Sequence, residues 1–207
     1  KFATEKETPY TRWVRDEGLD IIGAHYVPDL HTVELKPWAR REAKGVFINH
    51  EASRTNNDCY VCEIAPTKSI PPQRQLFEEM ILVLDGYGST TVWNDAGQRV
   101  SFEWKAGALF AIPLNTWHQH FNGSGKEPVR FVSVTNAPLI INAFGEVAFV
   151  FNTAYDFKTR AGFLGAVTMT LERAFAKIVF DDVRWGKEQS IRSFLMAIRC
   201  DDNDWRI

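Results

Sequence analysis

No apolar run in the chain approaches the roughly 18 residues that a membrane-spanning helix needs, which excludes such a helix. The opening stretch "KFATEKETPYTRW" has no apolar core of the kind a secretory signal carries, so a cytoplasmic location is expected. The chain begins at Lys1 rather than Met and reads as part of a longer polypeptide. Charge of one sign is also missing. The 24 basic and 26 acidic residues leave a formal charge of −2 with no long like-charge run, so neither nucleic acid nor a membrane surface is an expected partner. Cysteine is scarce. Three, an odd count without a secretion signal, argue against a disulfide framework. Cys59 and Cys62 form C-x-x-C in "DCYVCEIA", but on a strand residues i and i+3 point to opposite faces, so they read as packing cysteines. The chain has no G-x-S-x-G, no P-loop and no G-x-G-x-x-G after a strand, and no internal repeat or low-complexity segment. "DGYGST" reads as a hairpin turn rather than a phosphate cradle, because a strand and not a helix follows it.

What is present is a large apolar fraction. Hydrophobic residues make up 45 % and aromatics 13 %, enough for a sizeable core. Short apolar runs recur through the middle of the chain. "CYVCEIA" (59–65), "MILVLD" (80–85), "STTVW" (89–93), "VSFEW" (100–104), "ALFAI" (108–112), "WHQHF" (117–121) and "VRFVSVT" (129–135) all read as strands, with turn residues between them. No helical pattern of about 10–15 residues separates them, which disfavours a βαβ sheet and favours an all-β sandwich or barrel. Residues 1–55 read as an N-terminal arm, in which "GLDIIGAHYV" and "HTVELKPW" are candidate strands and "WARREAKG" is a basic segment with a glycine stop. The barrel is assigned to 56–140 and a C-terminal extension to 141–207. There Ile191, Phe194, Leu195 and Ile198 have helical spacing, and "KIVFDDV" suits a strand equally well.

The chemistry concentrates in two stretches. In "GALFAIPLNTWHQHFN" (107–122), His118 and His120 are two residues apart on a strand and share a face, with Trp117, Gln119 and Phe121 on the other. In "PPQRQLFEEM" (71–80), Gln73, Gln75 and Glu79 are separated by even steps and project one way if the strand is unbroken. If the two strands are neighbours, these five residues form one cluster. A glutamate within an apolar run is costly to bury unpaired, so Glu79 is expected to face a cation, a metal or an amide donor, with Glu78 towards solvent. Trp93, Trp104, Phe110 and Trp117 read as core aromatics, with Trp104 also a candidate wall of a substrate pocket. Arg74 and Arg130 are candidates for holding a carboxylate, which guanidinium pairs bidentately. His25, His31 and His50 carry no assigned role.

These residues resemble the motifs of the cupin superfamily. Its first motif ends in a carboxylate, six residues and a glycine, matched by Glu79, "MILVLD" and Gly86. Its H-x-H pair falls on Gln73 and Gln75. Its second motif, G-x5-P-x-G-x2-H-x3-N, is matched by Gly107, Pro113, His118 and Asn122, with Asn115 in place of the second glycine. The resemblance covers roughly residues 59–135. The flanking wording "GYGSTTVW" and "LNTWHQHFNGSG" is similar to bacterial double-cupin dioxygenase-like proteins of the gentisate dioxygenase group. The resemblance implies a cupin-type antiparallel β-barrel (jelly-roll) with irregular or helical extensions. Dimers are common in the superfamily, and a second, absent or degenerate barrel could follow about residue 175. It also implies a divalent metal, Fe2+ first, then Mn2+, Zn2+ or Ni2+, held by two or three histidines and the glutamate.

Three functions follow as expectations. In the first, Glu79, His118 and one or more of His120, Gln73 and Gln75 hold a metal, and a small organic acid or phenol reacts in a dioxygenase-like way. In the second there is no metal: Glu79, its pKa raised by the barrel, is a general base, His118 or His120 the acid, and the glutamines orient the substrate. In the third the barrel is a non-catalytic binding module or scaffold. Amide oxygens are weaker donors than imidazoles to late first-row ions, so the glutamine pair favours the second and third, whereas the intact Glu79 and second motif favour the first, which is the leading expectation.

Overall fold

The computed structural model describes residues 7–50 and 56–155. The helix and strand readings over 170–198, and Cys200, lie outside the described residues.

The chain enters through helix α1 (Pro9–Asp16), which the sequence reading did not mark. It starts where the Thr8 hydroxyl accepts from the Thr11 backbone, with Pro9 in the first turn, and buries Tyr10, Trp13 and Val14. Strands β1 (Ile21–Ala24) and β2 (Lys36–Trp38) fall in the two expected runs. A 3-10 turn over Ala39–Arg41 then leads into β3 (Ala43–His50). Gly45 is therefore not a stop. It lies within β3, where a Cβ would come within 2.5 Å of the Trp38 ring, so the glycine lets that indole close on the strand.

The remaining strands are β4 (Asp58–Ile64), β5 (Glu79–Asp85), β6 (Tyr87–Trp93), β7 (Arg99–Lys105), β8 (Leu109–Ile112), β9 (Trp117–Asn122) and β10 (Val129–Thr135). They match the expected runs to within two residues. Helices α2 (Ala137–Phe144) and α3 (Val147–Asn152) follow. Among the described residues one sheet runs β1-β3-β4-β10-β5-β8, with β2 beside β3, and a second runs β7-β6-β9. Pairing is antiparallel except between β1 and β3. This is the all-β, jelly-roll barrel expected from the sequence, and the N-terminal segment supplies strands to its larger sheet.

The "DGYG" corner is not a hairpin. β5 pairs with β10 and β8, whereas β6 pairs with β7 and β9, so the chain changes sheet at Gly86. That residue has φ +83° and lies against Val129, which explains a glycine there.

Alternation along β4 and β10 separates two apolar clusters. Tyr60, Cys62, Ile64, Val129 and Phe131 face the barrel interior. Cys59, Val61 and Val132 face outward, covered by Ile22, Val27, Leu30, Val33 and Leu35 of the N-terminal segment. Cys59 and Cys62 thus pack on opposite faces as free thiols, and burial pushes both pKa values up to about 12. No helix among the described residues is long and apolar enough to cross a membrane.

Candidate functional site

The two stretches singled out in the sequence meet inside the barrel, though not by the route expected. Residues 71–78 are not a continuous strand. After Pro71 and Pro72, only Gln73 makes a bridge, exchanging backbone hydrogen bonds of 3.0 and 2.9 Å with His118. Regular pairing resumes at Glu79. The side chains of Gln73, Gln75 and Glu79 still converge, because that bridge and a 2.9 Å bond from Asn115 N–H to the Gln75 carbonyl tie the loop to the β9 end. Asn115 can do this in the left-handed conformation (φ 55°), the geometry a glycine would otherwise supply. Its side chain donates to the carbonyls of Thr153 and Tyr155. Asn122 is structural as well, tying the carbonyls of Ile64, Ala65 and Glu127 together.

Glu79 lies at the centre and is almost fully buried. Oε1 accepts from the Tyr60 hydroxyl and from Ser133 Oγ at 2.6 Å, and Oε2 accepts from Gln75 Nε2 at 2.7 Å. Arg41, in the 3-10 turn, brings its guanidinium to 3.8 Å from Oε1, stacked against the rings of Trp38 and Tyr60. Burial alone would raise the Glu79 pKa. The Arg41 charge and the surrounding donors outweigh it and hold the carboxyl at about 2. The expected general base with a raised pKa is therefore not what the fold builds: the Glu79 pKa is lowered, and the carboxyl is ionised at neutral pH. Burial likewise works against the Arg41 charge, but the facing Tyr60 oxygen and Glu79 more than reverse this, and the guanidinium stays charged.

His118 is wholly buried, with Nδ1 3.0 Å from the Thr116 carbonyl. A carbonyl only accepts, so Nδ1 carries the proton. Burial, more than any other influence, lowers the pKa and keeps the ring neutral. Nε2 is then a lone pair. It receives the Gln73 amide at 3.1 Å and lies 3.9 Å from Glu79 Oε2. The His120 ring is 5.3 Å from that of His118, centre to centre. Burial drives its pKa down to about 3. Its Nδ1 is 2.8 Å from the Thr90 hydroxyl, which also accepts from Trp104 Nε1 at 2.8 Å. Trp104 thus reaches the cluster through Thr90 and stacks on Phe110 in the wall.

The other candidates lie elsewhere. Arg130 pairs with Glu63, and Arg74 with Asp95 over the Trp117 ring. His31 pairs with Asp85 at the surface, and Glu78 is exposed. Sequence reasoning missed Arg41, Tyr60, Ser133 and Thr90. Alternation along "VRFVSVT" places Ser133 with the inward Phe131, and the same rule places Tyr60 with Cys62, so those two were within reach. Nothing in the spacing of "WARREAKG" singles out Arg41.

The side chains around Glu79 form a hydrogen-bonded set among themselves. The glutamines direct amide N–H groups at His118 and at Glu79, and Gln75 Oε1 is buried beside them without a partner. The one lone pair of His118 is already taken, and a buried guanidinium already neutralises the carboxylate and would repel a second cation. Among the described residues no three His, Cys, Asp or Glu side chains are arranged to hold an ion. In the cluster four buried polar atoms lack hydrogen-bond partners among the described residues: Arg41 Nε and Nη1, Gln75 Oε1 and His120 Nε2. Outside the cluster, Gln73 also lines a cavity of about 390 Å³, walled by Trp13 of α1, Pro71, Pro72 and Phe151 of α3.

Residues 60–135 match the family model described as Cupin domain. No curated protein matches the sequence. Among solved structures, the chain is similar to a Lactobacillus farciminis oxalate decarboxylase formate complex. That match is 21 % identical, covers 54 % of this chain and 35 % of that one, and has a TM-score of 0.45. It is also similar to the Schizosaccharomyces pombe Cnp3 cupin domain, at 19 % identity, covering 58 % and 74 % of the two chains, TM-score 0.45. An oxalate oxidase in complex with the substrate analogue glycolate matches at 16 % identity, over 55 % and 59 %, TM-score 0.46. The match to the oxalate decarboxylase thus spans about a third of that chain's length.

Proposed function

We propose that this cupin-type barrel handles a proton on a small organic acid without a metal, with His118 as the base. The observation that carries the reading is the pair formed by Arg41 and Glu79, which neutralises the centre of the barrel from within. His118 has its Nδ1 proton committed to Thr116 and its Nε2 lone pair directed at Gln73, the residue that also lines the cavity. A substrate carbon acid that takes the place of the Gln73 amide on Nε2 loses its proton there. The electron pair of the broken C–H bond moves into the adjacent carbonyl to give an enolate, and the freed Gln73 amide is the nearby donor for its oxygen. The imidazolium formed is stabilised by the Glu79 carboxylate at 3.9 Å, and returning the proton to a neighbouring atom completes an isomerisation. Glu79 acts through His118 and is a positioning residue. The dioxygenase-like expectation needs a metal, and this reading does without one.

Deuterium exchange tests the proposal. Small 2-oxo acids incubated with the protein in D2O, followed by proton NMR, are expected to exchange at the adjacent carbon. The exchange survives chelators and is lost in His118→Gln. Exchange that appears only on adding a divalent ion contradicts it. A second reading, a binding or structural barrel, is favoured by one observation: Glu79, His118 and His120 are each at most 2 % exposed. No exchange across the series, with the fold intact, selects that reading instead.

A further inference from the structure

The cavity beside Gln73 has a chemistry of its own. It lies between α1, α3 and the 71–74 loop, and Leu76 N–H to the Val150 carbonyl at 2.9 Å holds α3 against that loop. One wall is apolar, built from Trp13, Pro71, Pro72 and Phe151. Two guanidinium groups, Arg40 and Arg74, also line it. Arg40 is held rigidly, packed on the rings of Trp13, Trp38 and Phe151. Its Nε is spent on Glu17, itself fixed by Trp38, while its terminal nitrogens donate to nothing among the described residues. Arg74 is 8 % exposed, and its Nη1 is spent on Asp95. Its Nε is buried with no partner, a donor whose desolvation nothing among the described residues repays. Each guanidinium already has one carboxylate partner, Glu17 for Arg40 and Asp95 for Arg74, so a ligand carboxylate meets the nitrogens that remain.

We infer that this cavity binds a small monocarboxylate with an aromatic or branched apolar tail, its carboxylate taken by Arg74 and Arg40 and its tail lying on Trp13 and Phe151. Charge-assisted hydrogen bonds to guanidinium are the strong kind, and a rigid, partly desolvated pair of donors loses little entropy in forming them. A volume of about 390 Å³ is at the small end of ligand pockets, which limits the ligand to about the size of one ring and its substituents. The inference rests on the acid–base reading for its catalytic meaning, since Gln73 both lines the cavity and bonds His118, but carboxylate binding stands or falls separately.

The test is a binding titration followed by Trp fluorescence and thermal shift on the full chain, with benzoate, the neutral isostere benzamide, and acetate. Benzoate is expected to bind in the millimolar range or tighter, with benzamide and acetate at least about tenfold weaker, because each lacks one half of the recognition. Arg74→Gln weakens benzoate at least about tenfold, and Ala148→Trp, which fills the cavity from the exposed side of α3, abolishes binding with little change in melting temperature. Equal binding of benzoate and benzamide, or benzoate binding unchanged in Ala148→Trp, overturns the inference. Benzoate bound as expected together with metal-dependent exchange overturns the acid–base reading and leaves the carboxylate site standing.

Discussion

Gln73 donates its side-chain amide to Nε2 of His118 across 3.1 Å, at a position where an imidazole was expected from the motif. The same exchange of roles recurs one step along the loop, where Gln75 donates to Glu79 at 2.7 Å. Two residues that looked like weakened ligands are donors. They cover His118 Nε2 and Glu79 Oε2, while His120 Nε2 and Gln75 Oε1 are left without partners.

The pair at the centre predicts a strong coupling. Removing one partner of a buried ion pair strands the other, which costs about 3–5 kcal/mol. Arg41→Met and Glu79→Gln are each expected to lower unfolding free energy by that amount in urea titrations. The double variant recovers a coupling energy of about 1–3 kcal/mol. Full additivity would show that the two side chains do not interact.

Acid should act on the histidines before it acts on Glu79. His120 is protonated near 6.5 when unfolded but only at about 3 when folded. Below pH 6.5 the unfolded chain therefore takes up a proton that the folded chain refuses, and stability falls. By pH 5 this amounts to about 2 kcal/mol for one histidine. Glu79 behaves as a depressed carboxylate: its contribution is complete above pH 4.5 and is lost as pH falls towards 2. Urea midpoints of the wild type are expected to drop between pH 7 and 5, and the slope to flatten in His120→Leu. An unchanged slope would mean that His120 does not titrate as its burial requires.

The Thr90 hydroxyl serves two partners, Trp104 and His120. Thr90→Val keeps the shape and leaves both nitrogens without that bond. A loss of about 2–4 kcal/mol is expected, and combining it with Trp104→Phe is expected to cost less than the two single losses summed, by about 0.5–3 kcal/mol. Additive losses would show that the hydroxyl does not link the two side chains.

The strand pattern was legible because alternation and turn residues are local signals, and so were the positions of Glu79, His118 and His120. The corner at Gly86 was read as a hairpin because a tight turn between two strands looks the same whether or not the strands pair. β3 was hidden by Gly45, whose reason is the distant Trp38 ring. α1 is short and is held by tertiary contacts: Tyr10 N–H donates to Asn142 Oδ1 at 2.9 Å. The largest omission was Arg41. Its partner Glu79 is 38 residues away in the chain, and no local pattern links the two.

The measurement that bears most directly on the metal-free reading is metal content by mass spectrometry. The purified protein is loaded anaerobically with Fe(II), Mn(II), Ni(II) and Zn(II) in turn, beside His118→Ala. The account predicts less than about 0.1 equivalent of any ion after desalting, with the wild type no different from the variant. About one equivalent, retained by the wild type and lost in His118→Ala, would contradict it and return Glu79, His118 and His120 to the role of ligands.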